Sequence, residues 1–310
     1  MTGHEKISAF FKKVISRGSL SHAYCFVGPQ SVGKKHLAKY LGAELLGVSF
    51  AKLSTQPDFV IVEQEYSDSQ EKTNKDITVK QIRELRSFLS QSAYLGKYKI
   101  AIIDNAEKMN AEAANALLKI LEEPSKNTIL FLITANETML PSTVVSRSQV
   151  FYFAPVSGHS LEDWLQKIDT KLDKDELIKL SLGSPGKIIN WLEDSEKFLT
   201  YKKEVERFNK LIGKTFFEKL KIIEDVFVSS EDNVKVKENW QNILALWRLL
   251  VRDSELLKNN LADLAVHKNL EQLTVEESLA IEEKILQAQD LLNKNINPRL
   301  LIENILLILP

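Results

Sequence analysis

The stretch that decides the fold is KYKIAIIDNAEKMNAEAANALLKILEEPSKNTILFLITANETMLPSTVVSRSQVFY, from Lys97 to Tyr152. It predicts, in order, a strand, a turn, a helix, a strand, a short helix and a strand. Ile100 to Ile103 is a continuous apolar run, which is typical of a strand buried on both faces. Asp104 follows at the carboxyl end of that strand, where open α/β sheets place ligand chemistry. Asn110 can cap the next helix, and Pro124 ends it. Buried strands that alternate with helices in this way predict a parallel α/β sheet.

The segment upstream, AYCFVGPQSVGKKHLAKYLGAELL at residues 23–46, predicts a strand, a glycine loop and a helix. Gly28, Gly33 and Lys34 match G-x-x-x-x-G-K, the phosphate-binding loop. Such a loop directs backbone N–H groups and a helix N-terminus at an anion, and its lysine adds charge. The match alone is a weak signal, and the later strand that ends in Asp104 makes it much more specific.

Composition limits the classes of protein that the chain can represent. The 310 residues are 44% apolar and 27% charged, with a net charge of −1, so bulk charge does not steer the chain to nucleic acid. The single cysteine, Cys25, excludes a disulfide framework and a cysteine-based zinc site within the chain, and we expect it to be buried. The N-terminus lacks a signal-peptide apolar core, and LLIENILLILP is too short to span a bilayer. We therefore expect a cytoplasmic protein with no membrane partner.

The remaining pattern predicts an α/β part followed by a helical part. DFVIVE at residues 58–63 is a second strand, the polar residues 66–76 form a surface loop, and Thr78 caps a helix. With the other segments this makes five parallel-type strands alternating with helices. No strand pattern recurs from Leu161 onward. Helices are predicted at 160–168, 173–182, 185–194, 195–212, 214–229, 232–258, 275–293 and 297–308.

Together these motifs resemble the AAA+ clamp-loader subunits. The resemblance is carried by SHAYCFVGPQSVGKK (residues 21–35), QPDF (56–59), IIDNAEKMNAEAANALLKILEEP (102–124) and STVVSRSQ (142–149). It implies an AAA+ P-loop-type parallel sheet domain at 1–157, a small helical lid at 158–205 and an all-α collar at 206–310. It also implies a DNA replication complex with motor subunits (gamma/tau) and a delta subunit, in which the collar assembles the ring that loads a sliding clamp on primed DNA.

Two residues depart from the family's motor subunits. Lys35 stands where a motor has the Ser or Thr whose hydroxyl binds Mg²⁺, and an ammonium group cannot bind a cation. Asp104 fits the Mg²⁺-associated carboxylate, but Asn105 stands where a motor has the Glu that activates water. The sequence therefore predicts a degenerate site at Gly28, Gly33, Lys34, Lys35 and Asp104. Binding of ATP or ADP stays open, and neither Mg²⁺ nor independent hydrolysis is expected.

Ser146–Arg147–Ser148 resembles the family's Ser-Arg-Cys motif. The resemblance implies that Arg147 reaches into the neighbouring subunit's ATP site as an arginine finger, where a guanidinium stabilises charge on the transferring phosphoryl group. The alternative is a surface arginine in a local salt bridge.

Lys80, Arg83 and Arg86 lie three residues apart on one predicted helix. The resemblance implies that this helix faces DNA, where the three cations would contact backbone phosphates without reading sequence. A solvated charged face is the alternative.

Other positions carry weaker family signals. Thr134 and Asn136 stand where sensor residues lie, although polar capping of a strand end explains them equally well. The turn from Gly183 to Gly186 has glycine at position 186, where motors have arginine, so we interpret it as a turn and a helix N-terminus with Lys187 beside it. Val48–Thr55, where many relatives hold a four-cysteine zinc module, contains no cysteine, and no zinc is expected.

The sequence thus predicts a non-motor clamp-loader subunit that is a rigid platform and supplies Arg147 in trans. Two alternatives stay open. One is an active, gamma/tau-like motor with substituted ligands, and the other is an AAA+-like scaffold with no role in clamp loading.

Overall fold

A computed structural model describes residues 3–64, 76–228, 233–292, 294 and 296–310. Its strands are β1 (Ala23–Val27), β2 (Phe59–Val62), β3 (Lys99–Ile103), β4 (Thr128–Thr134) and β5 (Gln149–Tyr152). The helices of the first part are α1 (Glu5–Arg17), α2 (Lys34–Leu46), α3 (Val79–Ser90), α4 (Ala111–Glu122), α5 (Ser142–Val145), α6 (Gly158–Leu165), α7 (Lys174–Ser181) and α8 (Pro185–Glu193). The later helices are α9 (Ser195–Leu211), α10 (Phe216–Val228), α11 (Asn233–Lys258), α12 (Val275–Leu292) and α13 (Pro298–Ile308). Most of the loop predicted at 66–76 lies outside the described residues.

The five strands form one parallel sheet in the order β2-β3-β4-β1-β5. The predicted parallel α/β architecture is therefore confirmed. Since all strands run in the same direction, their carboxyl ends meet at one edge. That edge brings together Gly28 after β1, Asp104 after β3 and Thr134 at the end of β4.

Helices cover both faces of this sheet because alternate side chains of each buried strand point to opposite sides. Tyr24 and Phe26 pack with Phe11 of α1 and residues of α2 on one face. Cys25 and its neighbours pack with residues of α3 and α4 on the other face. Cys25 is buried as predicted, and burial raises the pKa of its thiol to about 12.

The predicted helix caps are present. Thr78 forms a capping box with Gln81 at the start of α3, and Asn110 Oδ1 accepts a hydrogen bond from Ala113 N at 2.8 Å at the start of α4. Each cap satisfies backbone donors that would otherwise lack a partner, which is worth about 1 kcal/mol. The two caps fix where the helices on this face of the sheet begin.

The described chain separates into two compact units, one up to Ile189 and one from Asn190 onward. Helices are the only regular elements among the described residues of the second unit, and its core surrounds Trp240 and Trp247. Every helix predicted after residue 157 is present, with ends shifted by a few residues. The division into 1–157, 158–205 and 206–310 stays a prediction.

None of the described helices combines the length and the apolar character that crossing a bilayer requires.

Candidate functional site

The glycine loop joins β1 to α2 as predicted, and its lysine is bound to the loop itself. Lys34 is buried, and its ammonium group donates hydrogen bonds to the carbonyl of Gly28 and, at 2.6 Å, to the carbonyl of Pro29. Burial lowers the pKa of Lys34, although the carboxylates of Glu107 and Asp104 oppose that effect. To reach a phosphate, this ammonium group would have to leave both carbonyls.

The ammonium group of Lys35 lies between two carboxylates, at the position that a metal ion would have to occupy. Its Nζ lies 2.7 Å from Glu63 Oε2 and 2.9 Å from Asp104 Oδ2. Burial opposes the charge on Lys35, but hydrogen bonds to Glu63 and Asp104 outweigh it and raise the pKa of the ammonium group. Mg²⁺ needs oxygen ligands, and this position supplies a cation instead. The residues present therefore do not fit a Mg²⁺ ion.

The position of the general base holds Asn105, which has a left-handed backbone conformation with a φ of 51°. Asparagine tolerates this conformation, but its amide cannot accept a proton from water. The nearby carboxylate of Glu107 points to the end of β4, where its Oε1 accepts a hydrogen bond from Ala135 N at 3.5 Å. With Asn105 directly after Asp104, the position that follows the end of β3 has no carboxylate to act as a general base.

The N-terminus of α8, where the turn from Gly183 to Gly186 ends, packs closely on the glycine loop. Gly186 N donates to Ser31 O at 2.8 Å, and a Cβ atom at position 186 would lie 2.9 Å from that same oxygen. An arginine at this position would therefore require the loop or the turn to move. Burial lowers the pKa of the adjacent Lys187. This contact gives a packing reason for the glycine that replaces the motors' arginine.

The polar groups at the end of β4 bond to each other. Thr134 Oγ1 donates to Asn136 O at 3.0 Å and accepts from Asn136 N at 3.2 Å, while Asn136 Oδ1 accepts from Thr138 N at 3.0 Å. These bonds match the capping interpretation of the two residues.

Arg147 lies just after α5 and is partly exposed, with 39% of its side chain accessible. Its NH2 forms an ion pair with Glu122 Oε1 at 2.9 Å, and its NH1 donates to Thr143 O at 3.1 Å. The side chain thus has the local salt bridge of the alternative interpretation. It also has the exposure that a residue acting on another subunit needs.

A basic groove of about 520 Å³ lies between α3 and α4. Arg83, Arg86 and Lys119 line it together with Glu112 and Asn115. Neither arginine forms an ion pair with any residue in the described ranges. Of the three residues predicted to bind DNA, the groove brings together only Arg83 and Arg86. Lys80 is not among the lining residues.

Lys80 instead lies 3.8 Å from Glu84 on the surface of α3, with 85% of its side chain exposed. Lys119 is the third cation that lines the groove, and it was not predicted from the sequence. Its position three residues before Glu122 on a helix was visible in the sequence, but nothing there linked it to α3.

The segment Val48–Thr55, which lacks the cysteines of a zinc module, forms a 3₁₀ helix at Phe50–Thr55 with Leu53 buried. Elsewhere in the described ranges, no group of three or more His, Cys, Asp or Glu residues is arranged to hold a metal ion.

The chain is similar to known replication proteins. The family model described as "DNA polymerase III, delta subunit" matches residues 3–157, half of the chain. The DNA polymerase III subunit delta' of Bacillus subtilis is 26% identical over 95% of this chain and 92% of its own length. The protein of the same name from Pseudomonas aeruginosa is 35% identical, over 57% of each chain.

A solved structure shares the fold. The crystal structure of a gamma subunit-related DNA polymerase III protein from Thermotoga maritima aligns over 96% of this chain and 97% of its own, with a TM-score of 0.54 and 17% identity. At this identity the likeness shows the fold alone.

Proposed function

Since the chain belongs to the DNA polymerase III delta-subunit family, among relatives named delta', we propose that it is a non-motor subunit of the clamp loader. In this role it does not hydrolyse ATP. It is a rigid platform that supplies Arg147 to the ATP site of a neighbouring motor subunit during loading of the sliding clamp.

The observation that carries this proposal is the position of Lys35. Its ammonium group lies within 3 Å of both Asp104 and Glu63, so a positive charge already occupies the position between the carboxylates where Mg²⁺ would bind. Nucleotide hydrolysis in P-loop proteins depends on that ion bridging the phosphates and on a residue that orients water. Lys35 and Asn105 remove both, and loss of a general base alone costs about 10²–10⁴ in rate.

Arg147 supports the other half of the proposal. A half-exposed guanidinium whose only bonds in the described chain are to a surface carboxylate and a carbonyl can exchange them for a phosphoryl group at modest cost. An arginine finger is worth about 10³–10⁵ in the rate of related enzymes. The chain thus retains a group that acts on another subunit's nucleotide although its own site does not fit the metal.

We further propose that the partners are gamma/tau motor subunits and a delta subunit, with the clamp reached through the complex, and that the groove between α3 and α4 contacts primed DNA. Arg83, Arg86 and Lys119 would bind backbone phosphates, which are the sequence-independent part of a DNA interface. Nucleotide in the glycine loop would not change this role, because hydrolysis would still lack Mg²⁺.

ATPase measurements on the chain alone and on a complex reconstituted with motor and delta subunits test the proposal. The isolated chain should show no Mg²⁺-dependent turnover. Arg147→Ala should assemble normally but slow hydrolysis at the one motor site it serves by about 10³-fold. Because the other motor sites keep working, the total rate should fall only in part. Arg17→Ala, which removes an exposed arginine at the end of α1, is the control.

Three results would contradict the proposal, each in a different way. An Arg147→Ala complex that hydrolyses ATP at the wild-type rate would refute the arginine finger. Robust turnover by the isolated chain would favour the active-motor alternative. If the chain neither assembles with motor subunits nor changes their rate, the scaffold alternative is favoured.

A further inference from the structure

The ion pair of Arg147 joins two elements of the first unit. Glu122 is the last residue of α4, and its Oε1 binds NH2 of Arg147 at 2.9 Å. The carbonyl of Thr143, in α5, accepts from NH1 of the same guanidinium at 3.1 Å. Both terminal nitrogens therefore have a partner on this chain, and together the two contacts define the direction of the guanidinium plane.

We infer that Glu122 is a positioning residue for Arg147, which orients the guanidinium before a neighbouring nucleotide is present. This inference rests on the proposed function. An arginine side chain has many rotamers, and this freedom is lost when it becomes fixed on a phosphoryl group. A side chain already held in one orientation loses less on contact, so more of the interaction lowers the barrier.

The exposure of the pair suits this role. Glu122 and Arg147 have 49% and 39% of their side chains accessible, and exposed pairs of this kind are worth about 0.2–1 kcal/mol. That free energy is enough to favour one rotamer. It is also small enough for the guanidinium to move from the carboxylate to a more highly charged phosphoryl group.

Glu122→Gln in the reconstituted complex tests the inference, because the amide keeps the size of the side chain and removes its charge. We expect the kcat of ATP hydrolysis at the site served by Arg147 to fall by about 1.5- to 5-fold, with a smaller change in KM. Glu123→Gln is the matched control, since this neighbouring carboxylate is exposed and forms no bond to Arg147. In an Arg147→Ala background, Glu122→Gln should have no further effect.

A second measurement needs no partner. In the isolated chain, ¹⁵N relaxation of the Arg147 Nε–H group should show more restricted motion in the wild type than in Glu122→Gln, with Glu123→Gln like the wild type.

The outcomes separate the inference from the function on which it rests. If Arg147→Ala leaves the complex's ATPase intact, the proposed function fails. If Arg147→Ala slows it but Glu122→Gln does not, only the inference fails.

A faster Glu122→Gln complex would mean that the carboxylate competes with the nucleotide for Arg147. An equal loss in the Arg147→Ala background would mean that Glu122 acts on something else. Either of these results also overturns the inference.

Discussion

One ammonium group, on Lys35, lies where two carboxylates from different strand ends meet. Lys35 pairs with both Asp104 and Glu63, so its single positive charge offsets one of their two negative charges inside the chain, and hydrogen bonds to both carboxylates raise the pKa of the ammonium group. We therefore propose that this single side chain lowers the affinity of this edge of the sheet for Mg²⁺.

Lys35→Ala tests how the ammonium group affects the stability of the fold and the binding of Mg²⁺. Removing the ammonium group leaves two carboxylates close together, so we expect the free energy of unfolding to fall by about 1 kcal/mol without added metal. Millimolar Mg²⁺ should then raise the Tm of the variant, because it binds the folded carboxylates, and should leave the wild type almost unchanged. Thermal unfolding with and without Mg²⁺ measures both effects.

Lys39→Ala provides the control on the same helix, since Lys39 lies on α2 and forms no ion pair with either carboxylate among the described residues. An equal Mg²⁺ shift in the wild type and in Lys35→Ala would refute the view that the ammonium group replaces the ion.

Among the elements, α3 and α4 together place three cations around one groove. Their starts are fixed by the Thr78 and Asn110 caps. α4 also carries Glu122 three residues after Lys119, so one helix bears a groove residue and the partner of Arg147.

Substitutions on α3 should show whether DNA binds to the groove or to the other charged residues of this helix. Arg83→Ala should weaken binding of primed duplex DNA at every sequence and lower the salt dependence of affinity by about one released counterion. Lys80→Ala should change little, because Lys80 lies outside the groove beside Glu84. Fluorescence anisotropy of labelled DNA over a range of salt concentrations measures both slopes. If the two variants lose affinity equally, the groove is not the contact surface.

At the scale of the molecule, each unit depends on a buried carboxylate. Asp58, 1% exposed, accepts hydrogen bonds from Tyr94, Leu95 and Gly96 N and pairs with buried Lys99 at 3.5 Å. Burial opposes ionisation of Asp58, but these bonds outweigh it and lower its pKa.

Asp253 is the corresponding carboxylate of the helical unit. It binds His267 Nδ1 at 2.8 Å and Arg252, and these bonds also lower its pKa against the opposing effect of burial. Both units should therefore lose stability in acid for the same reason.

The lowered pKa values fix the sign of this acid effect. A carboxyl whose pKa is lower when folded contributes stability above its unfolded pKa, near 3.8, and loses that contribution as pH falls through the folded value. Asp58→Asn leaves Lys99 without its carboxylate, so it should destabilise the first unit by about 3–5 kcal/mol at pH 7. The difference from the wild type should shrink below about pH 4.

Urea unfolding at pH 7 and at pH 3 measures this difference, with Asp169→Asn, an exposed carboxylate, as the control. A stability difference that stays constant from pH 7 to pH 3 would show that the charge of Asp58 does not contribute.

Local patterns in the sequence were enough to predict the helices and strands and to propose the class of site. Apolar runs and caps predicted β3, β4, α3 and α4, because burial and capping act on neighbouring residues. The identities of Lys35 and Asn105 were enough to predict the loss of a hydroxyl ligand and of a general base.

Which charged side chains contact each other depends on the packing of the folded chain. Glu63 joins Lys35, Lys119 replaces Lys80 beside the α3 arginines, and Glu122 holds Arg147. Each of these contacts joins residues that lie far apart in the chain. They form because the order of parallel strands and the packing of helices on the sheet place those residues together, and no local pattern records that order.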